Sequence, residues 1–373
     1  MTFASSNWTG EGPADLGRRQ YQTLDGLRGV AALSVVVLHT PHFFAKWHLP
    51  FSFLAVDLFF VLSGFVLSAA YGTRLRCGMT VAGFARIRLI RLYPLFFLGT
   101  LLGIPVALLA MKYGEISVEW SAQFFIISLP LSLAMLPTPT AGSDGFVYPF
   151  NPVLWTIFFE LVVNVLYALL AKQLSDMRIL ILLVVTSGAA LAAYVLRIDN
   201  LDCGGIWSTF VGGLARMMFS FFCGVLVFRI RRPGKIHSSA LALGLLLMLI
   251  CALAAPHTTL SATATVLLLF PAIVLLGASI EPGPALQRAF ALLGTTSYAV
   301  YALHKPVYQI LLGFLIVASP VKVEAMTPWI GLAFLCLLLA GCVAIDQFFD
   351  APTRQFLGQL RIRRRREKPD PIN

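Results

Sequence analysis

Charge is what this 373-residue chain has least of: Asp, Glu, Lys and Arg make up 12% of it, against roughly a quarter in soluble domains. So little charge beside 58% hydrophobic residues excludes intrinsic disorder. It excludes a soluble globule as well, because a mean hydropathy of +0.83 would leave large apolar patches facing water. Acidic residues are the scarcer sign, 17 against 28 Lys and Arg, for a net charge of +11. In a soluble protein that excess would suggest nucleic acid; in a chain this apolar, no nucleic-acid partner is expected and the placement of each charge matters more than the sum. Cysteine is also sparse. The six cysteines show no CxxC spacing, which excludes a disulfide framework and a zinc motif. His39, His42 and His48 cluster without a metal-ligand pattern, so no metal site is expected.

Long apolar runs are what the chain does have. They recur at 27–44, 51–71, 92–111, 152–171, 178–196, 207–228, 238–255, 261–279, 295–317 and 328–349. Each has about the 17–25 residues that a bilayer demands of a helix. A further apolar run at 120–136 carries Pro130. Positive charge decides how to treat it, since Lys and Arg collect on the cytoplasmic side. If 120–136 does not cross, one side holds Arg18, Arg19, Arg74, Arg76, Arg86, Arg88, Arg91, Lys172, Arg178, Arg229, Arg231, Arg232, Lys235, Arg288, Arg354, Arg361 to Arg366 and Lys368. The other side holds only Lys46, Lys112, Arg197 and Lys322. A crossing there would flip every later loop and erase the asymmetry. The predicted fold is therefore all-α: a polytopic integral membrane protein of about ten transmembrane helices, with a re-entrant or interfacial helix inside an outer segment 112–151. Its domains are a cytoplasmic arm over 1–20, a transmembrane domain over 21–356 and a basic cytoplasmic tail over 357–373. The expected location is the cell (inner) membrane with both termini cytoplasmic and no cleaved signal peptide, because the first residues are polar and the first apolar run is itself a span. The basic tail also suits contact with anionic membrane lipid.

Ionisable residues inside spans are costly and mark function by default. Here they are Arg28, His39, Asp57, Glu160, Arg216, His304, Lys305 and Asp346. Arg28 and His39 are eleven residues apart, which places them on one helix face about 16 Å apart in height. Asp57 and Glu160 lie about 9 and 12 Å below the outer boundary, near the depth of His39. Two readings are open: a carboxylate beside an imidazole that acts as general base, or separate polar groups that join helices. Arg88 and Arg91 share a face at the entry of the third span, at the depth of Arg28. Such guanidinium forks suit phosphate oxygens, although plain topological charge would look the same. Glu160, Asn164 and Tyr167 form one polar stripe and Ser297, Tyr301 and His304 another, followed by Pro306, which can free carbonyls to line a cavity.

Five strings carry a resemblance: LDGLRGVAALSVVVLH, DLFFVLSGFVLS with Asp57, Ser63 and Gly64, RIRLIRLYPL, LWTIFFELVVNVLY and SYAVYALHKPV. In this order, from about residue 21 to about residue 356, the sequence resembles the membrane acyltransferase-3 family. The resemblance implies transfer of an acyl group, usually acetyl, from cytoplasmic acyl-CoA to a hydroxyl of a cell-surface glycan or lipid-linked saccharide. It implies His39 as the catalytic histidine and Arg28, Arg88 and Arg91 as donor-handling residues. Asp350 in FFDAPTR stands where the family usually has Glu, and no role is assigned to it.

Joining the two lines gives this expectation. Acyl-CoA docks through Arg28, Arg88 and Arg91. His39 serves as general base or acyl relay, oriented by Glu160 or Asp57. Ser63, Asn164, Tyr167, Tyr301 and His304 line a substrate cavity. A proton-coupled transporter would account for intramembrane His, Asp and Glu, though not for the arginine pair or the matched strings. A non-catalytic assembly subunit would predict a silent His39.

Overall fold

A computed structural model of the chain describes residues 21–47, 49–113, 120–138, 145–232, 234–318 and 323–366. The arm over 1–20, His48, Lys322 and the last tail residues, 367–373, lie outside the described residues, as do the side chains of the arginine run 361–366.

The apolar runs fold as helices: α1 (Gln22–His39), α2 (Ala55–Arg76), α3 (Val81–Tyr113), α4 (Ala122–Leu133), α5 (Trp155–Leu170), α6 (Met177–Ile198), α7 (Phe210–Ile230) and α8 (Ser239–Ala254). There follow α9 (Thr259–Gly277), α10 (Pro284–Ala318), α11 (Trp329–Ile345) and α12 (Ala351–Arg366). Among the described residues, eight helices are long and apolar enough to cross a membrane. The two other predicted spans are α1, of 18 residues, and α8, of 16 residues. The protein is an all-α, multi-pass membrane protein. The doubtful run forms α4, 12 residues long and started by the Ser121 hydroxyl, which accepts from the Phe124 amide at 3.1 Å. At 1.5 Å per residue it reaches about 18 Å, short of an apolar core about 30 Å thick.

Two helices widen by one π-helical turn, at Thr265–Leu269 in α9 and at Asp346–Asp350 between α11 and α12. Each turn runs up to a proline, Pro271 and Pro352. A proline ring clashes with the carbonyl four residues back and lacks the amide to pair with it, and a wider turn relieves both faults.

The most extensive packing joins α1 to α10 and α2 to α7. Lipid offers no hydrophobic drive between helices, so close packing must come from small residues. Gly64 of α2 and Gly224 of α7 supply it: a β-carbon on either would overlap the partner helix's backbone, at Phe221 and Val61. The outer helices α6 and α11 expose Leu182, Val185, Leu196 and Leu337, which accounts for part of the surplus apolar composition.

Hydrogen bonds sort the connections into two ends. At one, Ile236–His237 pairs in parallel with Ile280–Glu281, the Gln22 amide donates to Glu281, and Arg229 donates to the carbonyls of Leu174 and Ser175. At the other, the Phe51 amide bonds Leu253, the Val147 amide bonds Gly205, and Thr259 bonds Asp199.

Candidate active site

Among the described residues, two cavities with polar groups in their linings open between the helices. The first, of about 230 Å³, is lined by Arg28 from α1, Val56, Phe59 and Ser63 from α2, Arg88 and Arg91 from α3, Thr156 and Glu160 from α5, and Ser297, Tyr298 and Tyr301 from α10. Sequence spacing suggested that the three arginines meet, and they do. Their guanidiniums are not bare. Arg88 Nη2 donates to Glu160 Oε1 at 2.7 Å, Arg91 Nη1 to Asp350 Oδ2 at 3.3 Å, and Arg28 Nη1 to Asp25 Oδ1 at 3.4 Å. Arg88 Nε is buried with no acceptor. Arg28 and Arg91 remain about one-third exposed, at 29% and 34%. Arg91 also lies over the Tyr298 ring, 5.3 Å from its centre. The three guanidiniums border one cavity, and their forks suit the oxygens of a bound anion.

The second cavity, of about 470 Å³, contains His39 together with Trp155, Asp202, Arg216, Tyr301, Lys305 and Gln309. Trp120, Phe146, Pro149 and Phe150 of the 112–151 segment form part of its wall. Aromatic faces beside Asp, Arg, Lys and Gln give it a mixed lining with several hydrogen-bonding groups.

The neighbour of His39 is not the expected carboxylate. His39 Nδ1 lies 2.9 Å from Nε2 of His304 on α10. The Nδ1 of His304 in turn faces two carbonyl oxygens, Tyr301 at 2.8 Å and Val300 at 3.1 Å. Carbonyls only accept, so Nδ1 of His304 carries its hydrogen. With both rings neutral, Nε2 of His304 accepts from Nδ1–H of His39, and Nε2 of His39 keeps a free lone pair. His304, expected to line the substrate cavity, is fully buried and lines neither cavity, so it acts only through His39, which is half-buried at the second cavity.

Glu160 and Asp57 are engaged elsewhere. Glu160 accepts from Arg88 and, at 3.0 Å, from Ser63, on the arginine side. Asp57 is fully buried against Arg216, which donates to it from Nε at 3.2 and 3.1 Å and from Nη2 at 2.6 Å. The same guanidinium donates to the carbonyls of Phe53 and Cys203. Depth along the membrane placed these carboxylates level with His39, but the rotation of each helix about its axis points them at other partners. Asn164 and Tyr167 line neither cavity. Both are buried in helix packing, Tyr167 against Phe221. Of that stripe only Glu160 reaches a cavity, whereas Tyr301 of the other stripe reaches both.

Four site residues went unassigned in the sequence. Asp350 is buried between Arg91 and Arg354, 3.3 and 3.0 Å from them. Tyr298 and Trp155 line cavities, and Arg216 fixes a loop at the second cavity. The signals available were a charged residue inside an apolar run, which marked Arg216 without identifying its partner, and the family position of Asp350 in FFDAPTR, which carried no role.

Comparison with known proteins adds identity to this geometry. The family model for acyltransferase 3, described as "Acyltransferase domain", matches residues 21–347. The chain belongs to the acyltransferase-3 family. It is also similar to "Protein 2 in picA locus" of Rhizobium radiobacter, with 39% identity over 162 residues that cover 39% of this chain and 79% of that protein. No solved structure matches. This acyltransferase-3 protein is thus a membrane enzyme that transfers an acyl group from a donor to an acceptor.

Proposed function

We propose that this acyltransferase takes an acyl group, acetyl by preference, from acyl-CoA at the cytoplasmic face of the cell membrane. It passes the group to a hydroxyl of a glycan or lipid-linked saccharide held in the histidine cavity. The observation that carries the reading is the pairing of His39 with His304, which leaves a lone pair on Nε2 of His39 inside a cavity with a mixed aromatic and polar lining.

Arg28, Arg88 and Arg91 would bind the donor's phosphates, exchanging part of their contact with Asp25, Glu160 and Asp350 for phosphate oxygens. Acyl-CoA supplies an activated thioester carbonyl. His39 Nε2 removes the proton of the acceptor hydroxyl as its oxygen bonds to that carbonyl carbon. The carbon–sulfur bond breaks, the thiolate leaves, and the proton passes to it from His39, so that one ester forms for each thioester lost. His304 holds the imidazole in the tautomer this requires, the part a carboxylate plays in other triads. Trp120 and Trp155 offer apolar faces to a sugar ring, and Asp202, Lys305 and Gln309 line the same space.

A base of this kind contributes roughly 10²–10⁴-fold. Membranes holding His39→Ala, given radiolabelled acetyl-CoA, are expected to lose about that factor in label transferred, with unchanged protein yield and insertion. Near-wild-type transfer by His39→Ala would overturn the reading. Counterflow of an intact solute, without release of CoA, would favour a proton-coupled transporter instead.

A further inference from the structure

We infer that Val56 and Tyr301 form the passage between the two cavities and set the length of acyl group that the enzyme accepts. The inference rests on the proposed transfer from acyl-CoA to His39. The arginine cavity and the histidine cavity have separate linings except at these two side chains, which border both. Each is nearly closed off, Val56 at 6% and Tyr301 at 7% exposure. A thioester held from the arginine side must therefore bring its acyl group past them to meet His39.

The two sides of this neck differ in stiffness. Tyr301 is held: Thr156 Oγ1 donates to its hydroxyl at 2.9 Å, and that hydroxyl donates to the Val153 carbonyl at 3.3 Å. Its ring meets the edge of Phe59, with centres 5.4 Å apart. The backbone carbonyl of the same residue accepts from His304, so a swing of Tyr301 would disturb the histidine pair. Val56 has no polar tie and one preferred rotamer in a helix. The room left for the acyl chain is then a matter of the volume of Val56 facing a fixed phenol. An acetyl group brings one methyl to this neck, and each further methylene must find space beside Val56. A packed pocket discriminates about 10–200-fold per methylene.

The test is a competition of acetyl-CoA, propionyl-CoA and butyryl-CoA in membranes holding wild type, Val56→Ala or Val56→Leu. The readout is the ratio of kcat/KM values. Wild type is expected to favour acetyl. Val56→Ala should raise the butyryl-to-acetyl ratio about tenfold or more, and Val56→Leu should lower the propionyl-to-acetyl ratio by a similar factor. Both changes are apolar, and a ratio is insensitive to the amount of folded protein. Ratios that stay within about twofold of wild type in both variants, while wild type transfers acetyl, would overturn the neck and leave the proposed function standing. Absence of transfer from any acyl-CoA by wild type would overturn the proposed function and this inference with it.

Discussion

In the proposed mechanism, the chemistry turns on which nitrogen of His39 is free. His304, through the carbonyls behind it, directs that choice. A glutamine amide oxygen can stand near the place of Nε2 and accept from Nδ1–H of His39, while alanine cannot. His304→Gln should therefore retain much of the wild-type kcat and His304→Ala should lose at least about tenfold, with little change in donor KM. Equal kcat in the two variants would count against the tautomer argument. The arginines answer to a different readout. Arg91→Ala removes a fork from the donor side, so it should raise the donor KM about tenfold, the worth of one charge-assisted contact, with a smaller effect on kcat. An unchanged dependence on acyl-CoA concentration would show that Arg91 does not meet the donor. At this scale the sequence was legible in part. While the family resemblance implied the role of His39, residue spacing put Arg88 and Arg91 on one helix face at the depth of Arg28. It could not show that Glu160 turns to Arg88 and Asp57 to Arg216, because depth along a helix is readable from residue number and the facing partner is not.

Among the helices, α10 does the most to shape the site. Pro306 deprives the Ala302 carbonyl of its partner four residues on, and the Asn151 side chain fills the gap by donating to it at 2.8 Å. The run-up to the proline thus accepts a bond from the loop before α5, close to Tyr301 and His304. Another tie crosses from α2 to α7. The Asp57–Arg216 pair lies in the core and also holds the Phe53 and Cys203 carbonyls, anchoring the loop after α6 beside the histidine cavity. Loss of one partner of a buried pair leaves a stranded charge at a cost of about 3–5 kcal/mol. Asp57→Leu and Arg216→Met should each lower thermal stability in detergent sharply, and the double variant should be less destabilised than either. If Asp57→Leu lowers only turnover, with the melting temperature unmoved, the pair is not a structural tie. The same anchor buries Cys203, and burial is the main reason that its thiol is pushed up to about 11. The protonated thiol is a poor nucleophile. At about pH 8 a maleimide should label the exposed Cys77 and spare Cys203 until the protein unfolds. Stripes of polar residues were a partial guide at this scale. Ser297 lines the arginine cavity and Tyr301 lines both, but His304 of the same stripe is fully buried and lines neither, and Asn164 and Tyr167 fall where α5 packs against its neighbours.

For the whole molecule, the long apolar runs were enough to anticipate an all-α multi-pass bundle, which follows from the thickness of the bilayer. What lay beyond the sequence was the division of the interior into two cavities, since that depends on long-range packing such as the Gly64–Gly224 crossing. The division gives the proposed enzyme a direction: donor at the arginine end, acceptor at the histidine end, and a narrow passage between them. The central claim is best tested by sidedness. In sealed inside-out membrane vesicles, the cytoplasmic face is outward, and labelled acetyl-CoA added outside reaches that face alone. The account predicts that acceptor glycan enclosed in the lumen acquires the label in vesicles with wild-type protein and not in vesicles with His39→Ala. Labelling that is equal in the two, or that requires acetyl-CoA inside the lumen, would contradict it.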